Sequence, residues 1–328
     1  SGIIDLRQST NQERNSLMKS ITEGMRHRKR IVEYAIKHNS NAQAARKYHT
    51  TRQYVAYWRS HYDGSIESLR KKSRKPQFHP KQHTETELAL IRHMYRHHSY
   101  RGLAHVYRKC CDEGYTRSYD SMCRWIRKMN LDKPSKKPRS KRKSNRKTTE
   151  AAYPGQIVQI DIKYVPLECI GFASYHSRYY QITAIDVYSR HRILEIVNEN
   201  STYTTGCFSE VLESRMGFKI ERIQTDNGKE FCNDPEQTKK KSKFEKMLQK
   251  LGIKHIRTAP YSPWQNGHVE RSHREDEERF YQKRRFSSEE EMIKALKRHE
   301  RISNGTYRKV LKFKSPDEVV QEYFENAS

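Results

Sequence analysis

Long hydrophobic runs are missing from this sequence, and their absence limits what the protein can be. No stretch approaches the roughly 20 consecutive apolar residues that cross a bilayer, and the first residues show no apolar signal-peptide core. Hydrophobic residues make up only 34% of the 328, so much of the chain must be charged surface, solvated helix or linker. We therefore expect a soluble cytoplasmic protein whose buried core is confined to part of its length.

Cysteine is scarce and poorly spaced for a structural role. The six cysteines include no C-x-x-C pair. Zinc ribbons and disulfide-rich domains both depend on closely and regularly spaced cysteines. We therefore predict six reduced thiols and no cysteine-based scaffold.

Acidic residues are too few to balance the basic ones. Lysine and arginine number 66 against 39 aspartates and glutamates, which gives a formal net charge of +27. Such a surplus repels itself unless it meets a polyanion. The composition therefore predicts nucleic acid as the partner, with binding that weakens steeply as salt is added.

Residues 1–75 have the pattern of a helix-turn-helix DNA-binding domain. Residues 41–48 fit the first helix of the motif, Thr51 fits the N-cap of the second, and residues 52–61 fit the second helix itself. The side chains that this second helix would present to a major groove are Arg52, Gln53, Tyr54 and Arg59. A plain three-helix bundle with a basic face fits the same pattern.

A second helical region spans residues 84–131 and again resembles a helix-turn-helix domain. Thr84, followed three residues later by Glu87, has the pattern of a capped helix start. A basic linker at residues 76–83 precedes this region, and a second at residues 132–150 follows it. The second linker contains nine lysines or arginines and cannot bury a core, which predicts a flexible tether.

Strand-like alternation begins after residue 150. The predicted strands lie at residues 156–167, 179–188, 191–197, 220–225 and 253–258, with helices at about 204–215 and 244–251 between the later ones. This order predicts a mixed five-stranded sheet flanked by helices in the core at residues 151–286. The segment 287–328 is predicted to be helical and charged, with a last helix capped by Ser315.

Three acidic residues lie where this fold would bring them together. Asp161 interrupts an apolar strand between two isoleucines, so its burial needs a reason. Asp226 follows the fourth strand, and Gly228 permits a sharp turn after it. Glu270 falls about two turns into a long helix that opens at Pro263.

These blocks resemble insertion-sequence transposases of the retroviral-integrase-like, Asp-Asp-Glu superfamily, and the resemblance covers nearly the whole chain. It implies an RNase H-like catalytic domain and preceding helix-turn-helix domains that bind the terminal repeats of a mobile element. It also implies Mg²⁺ or Mn²⁺ as cofactor, and a bacterial protein that is associated with the nucleoid through DNA. One departure is the 43 residues between Asp226 and Glu270, where residues 232–243 resemble an insert that should loop out without moving Glu270.

The expected chemistry is phosphoryl transfer assisted by two divalent ions. Hard oxygen ligands suit such ions, so Asp161 would bridge the pair while Asp226 and Glu270 would each hold one. Water would be the nucleophile for cutting, and the released 3′-hydroxyl the nucleophile for joining. Because two element ends must meet, the resemblance also implies a homodimer or a higher multimer on double-stranded DNA.

Residues other than the three acids are predicted to contact DNA. They are Arg52, Gln53, Tyr54, Arg59, Arg74, Lys75, Arg101, Arg124, Arg139, Lys141, Arg142, Lys143, Asn227, Asn266, His268, Arg271 and Arg274. Asp186 is predicted to support the fold, and the acids at residues 275–278 to be solvated helix-face charges. Glu277 shares a helix face with Glu270 and remains a candidate catalytic acid.

Two other functions fit the sequence. One is an RNase H-like nuclease that cuts without joining. The other is a helix-turn-helix DNA-binding regulator with an inactive core. The presence of all three carboxylates favours an active enzyme over the regulator.

Overall fold

The computed structural model describes residues 21–72, 81–132, 149–173, 178–233, 238, 240–259, 262–282 and 284–327. The helices are α1 (Glu23–Lys37), α2 (Asn41–Lys47), α3 (Arg52–His61), α4 (Glu85–His98), α5 (Leu103–Asp112), α6 (Tyr119–Lys128), α7 (Thr202–Met216), α8 (Lys243–Leu251), α9 (Gly267–Asp276), α10 (Glu289–Asn304) and α11 (Pro316–Ala327). The strands are β1 (Val158–Tyr164), β2 (Tyr180–Asp186), β3 (Arg192–Val197), β4 (Arg222–Thr225) and β5 (Lys254–Arg257). The chain divides into two units, Ser1–Gln82 and His83–Ser328.

The described part of the first unit is built on α1, α2 and α3. Thr22, Ser40 and Thr51 each accept a hydrogen bond from the backbone N–H three residues ahead, so each of these three α-helices has a side-chain N-cap. Its small core has two clusters, one of Ile31, Ala35, Ala44, Ala45 and Val55 and one of Val32, Trp58 and Leu69. The predicted Thr51 cap and the helix that follows it are confirmed.

The second unit contains one mixed sheet in the order β3-β2-β1-β4-β5. Strands β1, β2 and β3 pair antiparallel, whereas β4 runs parallel to β1 and β5 parallel to β4. The predicted mixed five-stranded sheet is therefore confirmed. Its order places β1 at the centre, between β2 and β4.

Helices cover both faces of the sheet. On one face, isoleucines of the central strands pack with Phe208 of α7 and Phe244 of α8. On the other face, Leu194 packs with Tyr281 and with Leu296 of α10. Residues of β1 therefore alternate between an apolar layer and the layer that contains α9 and α10.

Helices α4, α5 and α6 form a module that packs against the segment joining α10 to α11. The His105 ring stacks on Tyr307 with centroids 4.9 Å apart, and the Tyr307 backbone N–H donates to His105 Nδ1 at 3.2 Å. Phe313 contacts the rings of Tyr107 and Tyr119 at 4.7 and 5.2 Å. We call these five rings the aromatic seam. The predicted domain boundaries do not anticipate this contact and remain predictions.

The helix predicted to open at Pro263 consists of three segments. A 3-10 turn at Pro263–Asn266 leads into α9, which continues as a π-helical turn at Glu277–Tyr281. Glu270 therefore lies in the first turn of the α-helix rather than two turns into it. No helix in the described ranges is both long and apolar enough to span a membrane.

Candidate active site

Asp161 lies on the central strand, on the face that looks toward α9. Its neighbours Ile160 and Ile162 pack into the apolar layer with α7 and α8, so the alternation of a strand directs Asp161 to the opposite side. About 20% of its side chain is exposed. One carboxylate oxygen, Oδ1, accepts a hydrogen bond from the backbone N–H of Ile162 at 2.9 Å. The other oxygen faces the helix.

The register of β1 and β4 brings Asp226 level with Asp161. In the parallel pair, Val158 aligns with Ile223 and Gln159 with Gln224. Continuing that alignment by two residues sets Asp161 beside Asp226 on strands about 4.8 Å apart. Asp226 Oδ1 accepts from the backbone N–H of Gly228 at 2.9 Å, which closes the turn after β4.

Glu270 is positioned by a strand residue that caps its helix. Asn266, the residue before α9, makes no side-chain cap. Instead Gln159 Oε1 accepts from the backbone N–H groups of His268 and Val269, at 3.1 and 3.3 Å. Gln159 Nε2 also donates to the carbonyl of Gln265 at 2.6 Å. Gln159 thus fixes the start of α9 on β1, two residues from Asp161.

The carbonyl of Gln265 accepts two further hydrogen bonds. Gln224 Nε2 reaches it at 2.9 Å and Thr149 Oγ1 at 3.0 Å. Gln159 and Gln224 are not singled out by the sequence pattern, because a buried glutamine in a strand resembles any other polar alternation. Two glutamines at aligned positions of parallel strands are the signal that could have identified this anchor.

Replacing Gln159 with leucine should disturb the active site more than it disturbs the core. The two N–H groups at the start of α9 would lose their acceptor, at a cost of about 1–3 kcal/mol in the free energy of unfolding. A shift of Glu270 should slow single-turnover DNA cleavage roughly 10- to 100-fold. Gln224→Leu is the matched control, since it removes one donor to Gln265 but leaves α9 capped. Equal cleavage rates in the two variants would contradict the capping role.

His273 contacts Asp161 and was not predicted as a site residue. Its Nδ1 lies 3.5 Å from Asp161 Oδ2, and burial lowers the pKa of His273 to about 4, so the ring is neutral at neutral pH. Glu270 precedes His273 by three residues and shares its helix face. The contact therefore brings Glu270 within about one helical turn of Asp161. The spacing of three from Glu270 is the sequence signal that could have identified it.

The site carboxylates lie close enough to disturb one another's ionisation. Burial, together with the negative charges of Asp226, Glu270 and Glu230, raises the pKa of Asp161 to about 7. Burial and the charge of Asp226 also raise the pKa of Glu270 and of Glu230. Crowded carboxylates of this kind favour a bound cation, which relieves their repulsion.

A divalent metal fits the chemistry of these donors. Mg²⁺ and Mn²⁺ prefer carboxylate oxygens, and Asp161, Asp226 and Glu270 supply them from three elements. In the part of the chain that the structure describes, no three His, Cys, Asp or Glu side chains are already arranged to hold a metal ion. Glu230, which follows Asp226 by four residues, is a fourth nearby carboxylate that the sequence pattern does not single out.

Three of the acids that follow Glu270, at residues 275–277, have charged partners. Asp276 is fully buried, and its carboxylate binds Arg192 of β3 at 2.7 Å and His299 of α10 at 2.8 Å. The prediction that it is a solvated helix-face charge is therefore wrong, because the helix turns this residue into the sheet. Glu277 is paired with Lys163 at 2.7 Å.

Asp186 closes a turn rather than joining the site. Its Oδ1 accepts from the backbone N–H of Gly155 at 2.9 Å, and its Oδ2 accepts from the backbone N–H and hydroxyl of Ser189 at 2.7 and 2.6 Å. The side chain is fully buried. These contacts support the fold-supporting role predicted for it.

The residues of α3 that are predicted to contact a major groove differ in their exposure and in their side-chain contacts. Arg52 and Gln53 are exposed. Tyr54 is half-buried and packs against both apolar clusters of the first unit. The guanidinium of Arg59 donates to Asn41 and Asn39, each at 3.1 Å. Arg52 and Gln53 are therefore the better placed to reach a base edge.

The residues of the second unit that are predicted to contact DNA also differ in exposure. Arg124, Arg271 and Arg274 are exposed, and Arg101 is half-buried. Asn227 is exposed, but its side-chain amide donates to the carbonyl of Thr258 at 2.9 Å. Arg74, Lys75, Arg139, Lys141, Arg142 and Lys143 lie outside the described residues.

Asn266 and His268 face the protein. Asn266 is only 3% exposed, and its amide nitrogen lies 3.4 Å from the carbonyl of Ile160. The anchor at the start of α9 thus buries Asn266 against β1, and its predicted contact with DNA stays a prediction. His268 is half-buried, with Nε2 3.2 Å from the carbonyl of Thr149.

Comparisons with known proteins identify the same modules. Residues 151–263 and 251–304 match Integrase core domain families, and residues 27–77 match a Helix-turn-helix domain family. A search of curated proteins finds no match. One similar solved structure is the "CryoEM structure of simian T-cell lymphotropic virus intasome in complex with PP2A regulatory subunit B56 gamma", at 15% identity and a TM-score of 0.42, covering 69% of this chain and 74% of that chain.

The family matches agree with the geometry of the second unit. Integrase cores are polynucleotidyl-transferase domains that generally use divalent metals, and helix-turn-helix domains bind DNA. The five-stranded sheet with its helical flanks is the RNase H-like architecture implied by the resemblance. The chain therefore contains a region similar to integrase core domains, at residues 151–304, and a region similar to helix-turn-helix domains, at residues 27–77.

Proposed function

We propose that this protein is a DNA transposase of the insertion-sequence type. It binds the terminal inverted repeats of a mobile element, cuts DNA to expose 3′-hydroxyl ends, and joins those ends to target DNA. The observation that supports this proposal most strongly is the proximity of Asp161, Asp226 and Glu270. The charges of Asp226 and Glu270 help to raise the pKa of Asp161, and the charge of Asp226 helps to raise the pKa of Glu270. Cutting and joining are both displacements at phosphorus, so one site serves both.

The three carboxylates would bind the divalent metal ions. Asp161 would bind both ions, whereas Asp226 and Glu270 would each bind one. Two bound Mg²⁺ or Mn²⁺ ions stabilise the charge that develops on the attacking and leaving oxygens. Gln159 keeps Glu270 in place through the start of α9, and His273 supports Asp161 from the same helix. No side chain is required as a covalent nucleophile.

DNA recognition is assigned to the helical regions. The helix-turn-helix domain at residues 27–77 carries exposed Arg52 and Gln53 on its second helix. Side chains in this position contact base edges in the major groove. Because two element ends must be processed together, we expect a dimer or larger assembly on DNA.

A supercoiled donor plasmid that carries the element ends tests the function directly. With the full-length protein and Mg²⁺ or Mn²⁺, we expect cut ends followed by joined products, and with a chelator neither. Cutting without joining would overturn the transposase assignment in favour of a nuclease. Binding without any cutting would overturn it in favour of a DNA-binding regulator.

A further inference from the structure

A basic cleft separates the module of α4, α5 and α6 from helix α9. It has a volume of about 730 Å³. Its cationic lining consists of Arg101, Arg190, Arg271, Arg279, Arg308 and Lys309, and we use the name basic cleft for the space between these residues. Among the described residues that line it, Glu275 is the one carboxylate. The cleft is therefore a concentration of positive charge built from three separate parts of the second unit.

Part of this charge remains uncompensated. Glu275 pairs with Arg308 at 3.3 Å and, more distantly, with Arg271 at 3.9 Å. Asp120 pairs with Lys309 at 3.7 Å. Arg279 is exposed, and its guanidinium reaches the carbonyl of Arg101 at 3.5 Å rather than a carboxylate. A concave surface with this surplus attracts an anion.

The basic cleft lies on the flank of α9 that faces away from the carboxylates. His268, Arg271 and Glu275 line the cleft at positions i, i+3 and i+7 of the helix. Glu270 and His273, which belong to the active site, fall between those positions on the other flank. A phosphate bound in the cleft would therefore not be the phosphate that reacts at Asp161.

The walls of the basic cleft are fixed relative to each other. The aromatic seam joins α5 and α6 to the segment around Tyr307, and this segment also carries Arg308 and Lys309. The backbone bond from Tyr307 to His105 adds a polar contact inside the seam. A preformed surface of this kind binds without first being ordered, which favours affinity.

We propose that the basic cleft binds the sugar-phosphate backbone of duplex DNA, at a segment distinct from the one whose phosphate reacts. The inference rests on the proposed function in taking DNA as the occupant. DNA offers a regular row of phosphates to a row of guanidinium groups. A second copy of this chain has the same net charge of +27, so it offers no surplus of negative charge to complement the cleft.

The salt dependence of DNA binding tests the proposal. The cleft variant is Arg271→Gln/Arg279→Gln/Lys309→Gln in the full chain, and the matched control is Lys294→Gln/Lys297→Gln/Arg298→Gln, which removes three exposed cations from α10. Binding of a fluorescent random-sequence duplex is measured without divalent metal over a series of salt concentrations. The slope of log K against log salt is negative, and each lost phosphate contact makes it less steep by about 0.9.

We expect the cleft variant to make that slope less steep by about 2 to 3 and the control variant to leave it nearly unchanged. Equal slopes in the two variants, both folded by circular dichroism, would overturn the proposal. A change in the oligomeric state of the DNA-free cleft variant, with no change in slope, would also overturn it by identifying a protein partner.

The result of this binding test does not depend on whether the protein cuts or joins DNA. If the unaltered protein fails to cut or join DNA while the cleft variant still binds with a reduced slope, the proposed function fails and the cleft remains a DNA-binding surface. If the protein cuts and joins while the two variants bind alike, the cleft proposal alone fails.

Discussion

Asp161→Asn is expected to abolish DNA cutting and joining while leaving DNA affinity nearly unchanged. The amide keeps the size of the carboxylate but cannot bridge two divalent ions, so the several kcal/mol of charge stabilisation that metals supply would be lost. That loss corresponds to a fall of at least about 10³-fold in the single-turnover cleavage rate. The measurement compares cleavage of an end-bearing duplex with its binding affinity, using the same preparation of protein.

The same substitution should stabilise the metal-free protein above neutral pH. Burial, with the charges of Asp226, Glu270 and Glu230, raises the pKa of Asp161 from 3.8 to about 7 in the folded state. Stability contributed by its protonated form is present below the unfolded value and is lost as the pH rises through about 7. An asparagine does not ionise, so the variant should gain up to about 4 kcal/mol over the unaltered protein above that pH.

Added Mg²⁺ should reverse this difference in stability. A cation that binds only the folded state stabilises it, and the unaltered protein has the carboxylate that the variant lacks. Thermal unfolding with and without Mg²⁺, above and below neutral pH, measures both effects. A variant that is less stable than the unaltered protein under every condition would show that Asp161 holds the fold together rather than a metal.

Glu277→Gln is the control for the loss of activity. Glu277 lies seven residues after Glu270 and so faces the same way along the helix. It is already paired with Lys163 at 2.7 Å. We expect its amide variant to retain cleavage within a few-fold of the unaltered protein. Loss of cleavage comparable to that of Asp161→Asn would identify Glu277 as a second essential acid on this helix.

Local signals in the sequence were sufficient for the helix starts and the strands. Thr84 and Glu87 form the predicted capping box, and Ser315 accepts from the backbone N–H of Glu318 at the start of α11. Such caps involve residues three apart, so their chemistry is visible in a short window. Strand alternation predicted the five strands for the same reason, with their ends misplaced by a few residues.

Contacts between distant residues could not be predicted from the sequence. The cap that Gln159 provides for α9 joins residues 109 and 110 positions apart. The contact of His105 with Tyr307 spans 202 positions. No local pattern distinguishes a buried glutamine that caps a remote helix from an exposed one. The roles of the three carboxylates came from the resemblance, and the register of β1 and β4 supplies its physical basis.

The insert between Asp226 and Glu270 could be predicted only in part from the sequence. Its length was visible in the sequence, but not how its ends are held. The hydroxyl of Ser242, which caps α8, donates to the carbonyl of Phe231 at 2.7 Å. The two ends of the extra segment are therefore tied together before α8 begins. This contact explains physically how the chain can accept the added length at that point.

Breaking the buried pair between Arg192 and Asp276 is expected to destabilise the second unit strongly. The two side chains are 2% and 0% exposed. Asp276→Asn leaves the guanidinium buried without its counter-charge, and Arg192→Met leaves the carboxylate in the same position. Each should lower the free energy of unfolding by about 3–5 kcal/mol. Urea unfolding at neutral pH measures the loss.

The double variant measures the interaction energy between Arg192 and Asp276 apart from their contacts with other residues. Removing both charges leaves neither one unpaired, so Arg192→Met/Asp276→Asn should lose less than the sum of the single variants, by about 2–3 kcal/mol. Lys294→Met with Glu290→Gln is the matched surface cycle, since that pair lies 3.6 Å apart with both side chains at least 80% exposed. Its coupling should be below about 1 kcal/mol. Similar coupling in the two cycles would contradict a dominant role for burial.

The pH dependence of unfolding provides a second readout for this pair. Burial alone would raise the pKa of Asp276, but the charge of Arg192 and the hydrogen bond with His299 outweigh it and hold that pKa well below its usual range. A lowered pKa contributes stability that is present above the unfolded value of 3.8 and is lost as the pH falls below it. Asp276→Asn should therefore remove part of the acid sensitivity of the unaltered protein. Because α9 reaches β3 through this carboxylate, the same variant should also slow cleavage by displacing Glu270, and Mg²⁺ should not restore the rate.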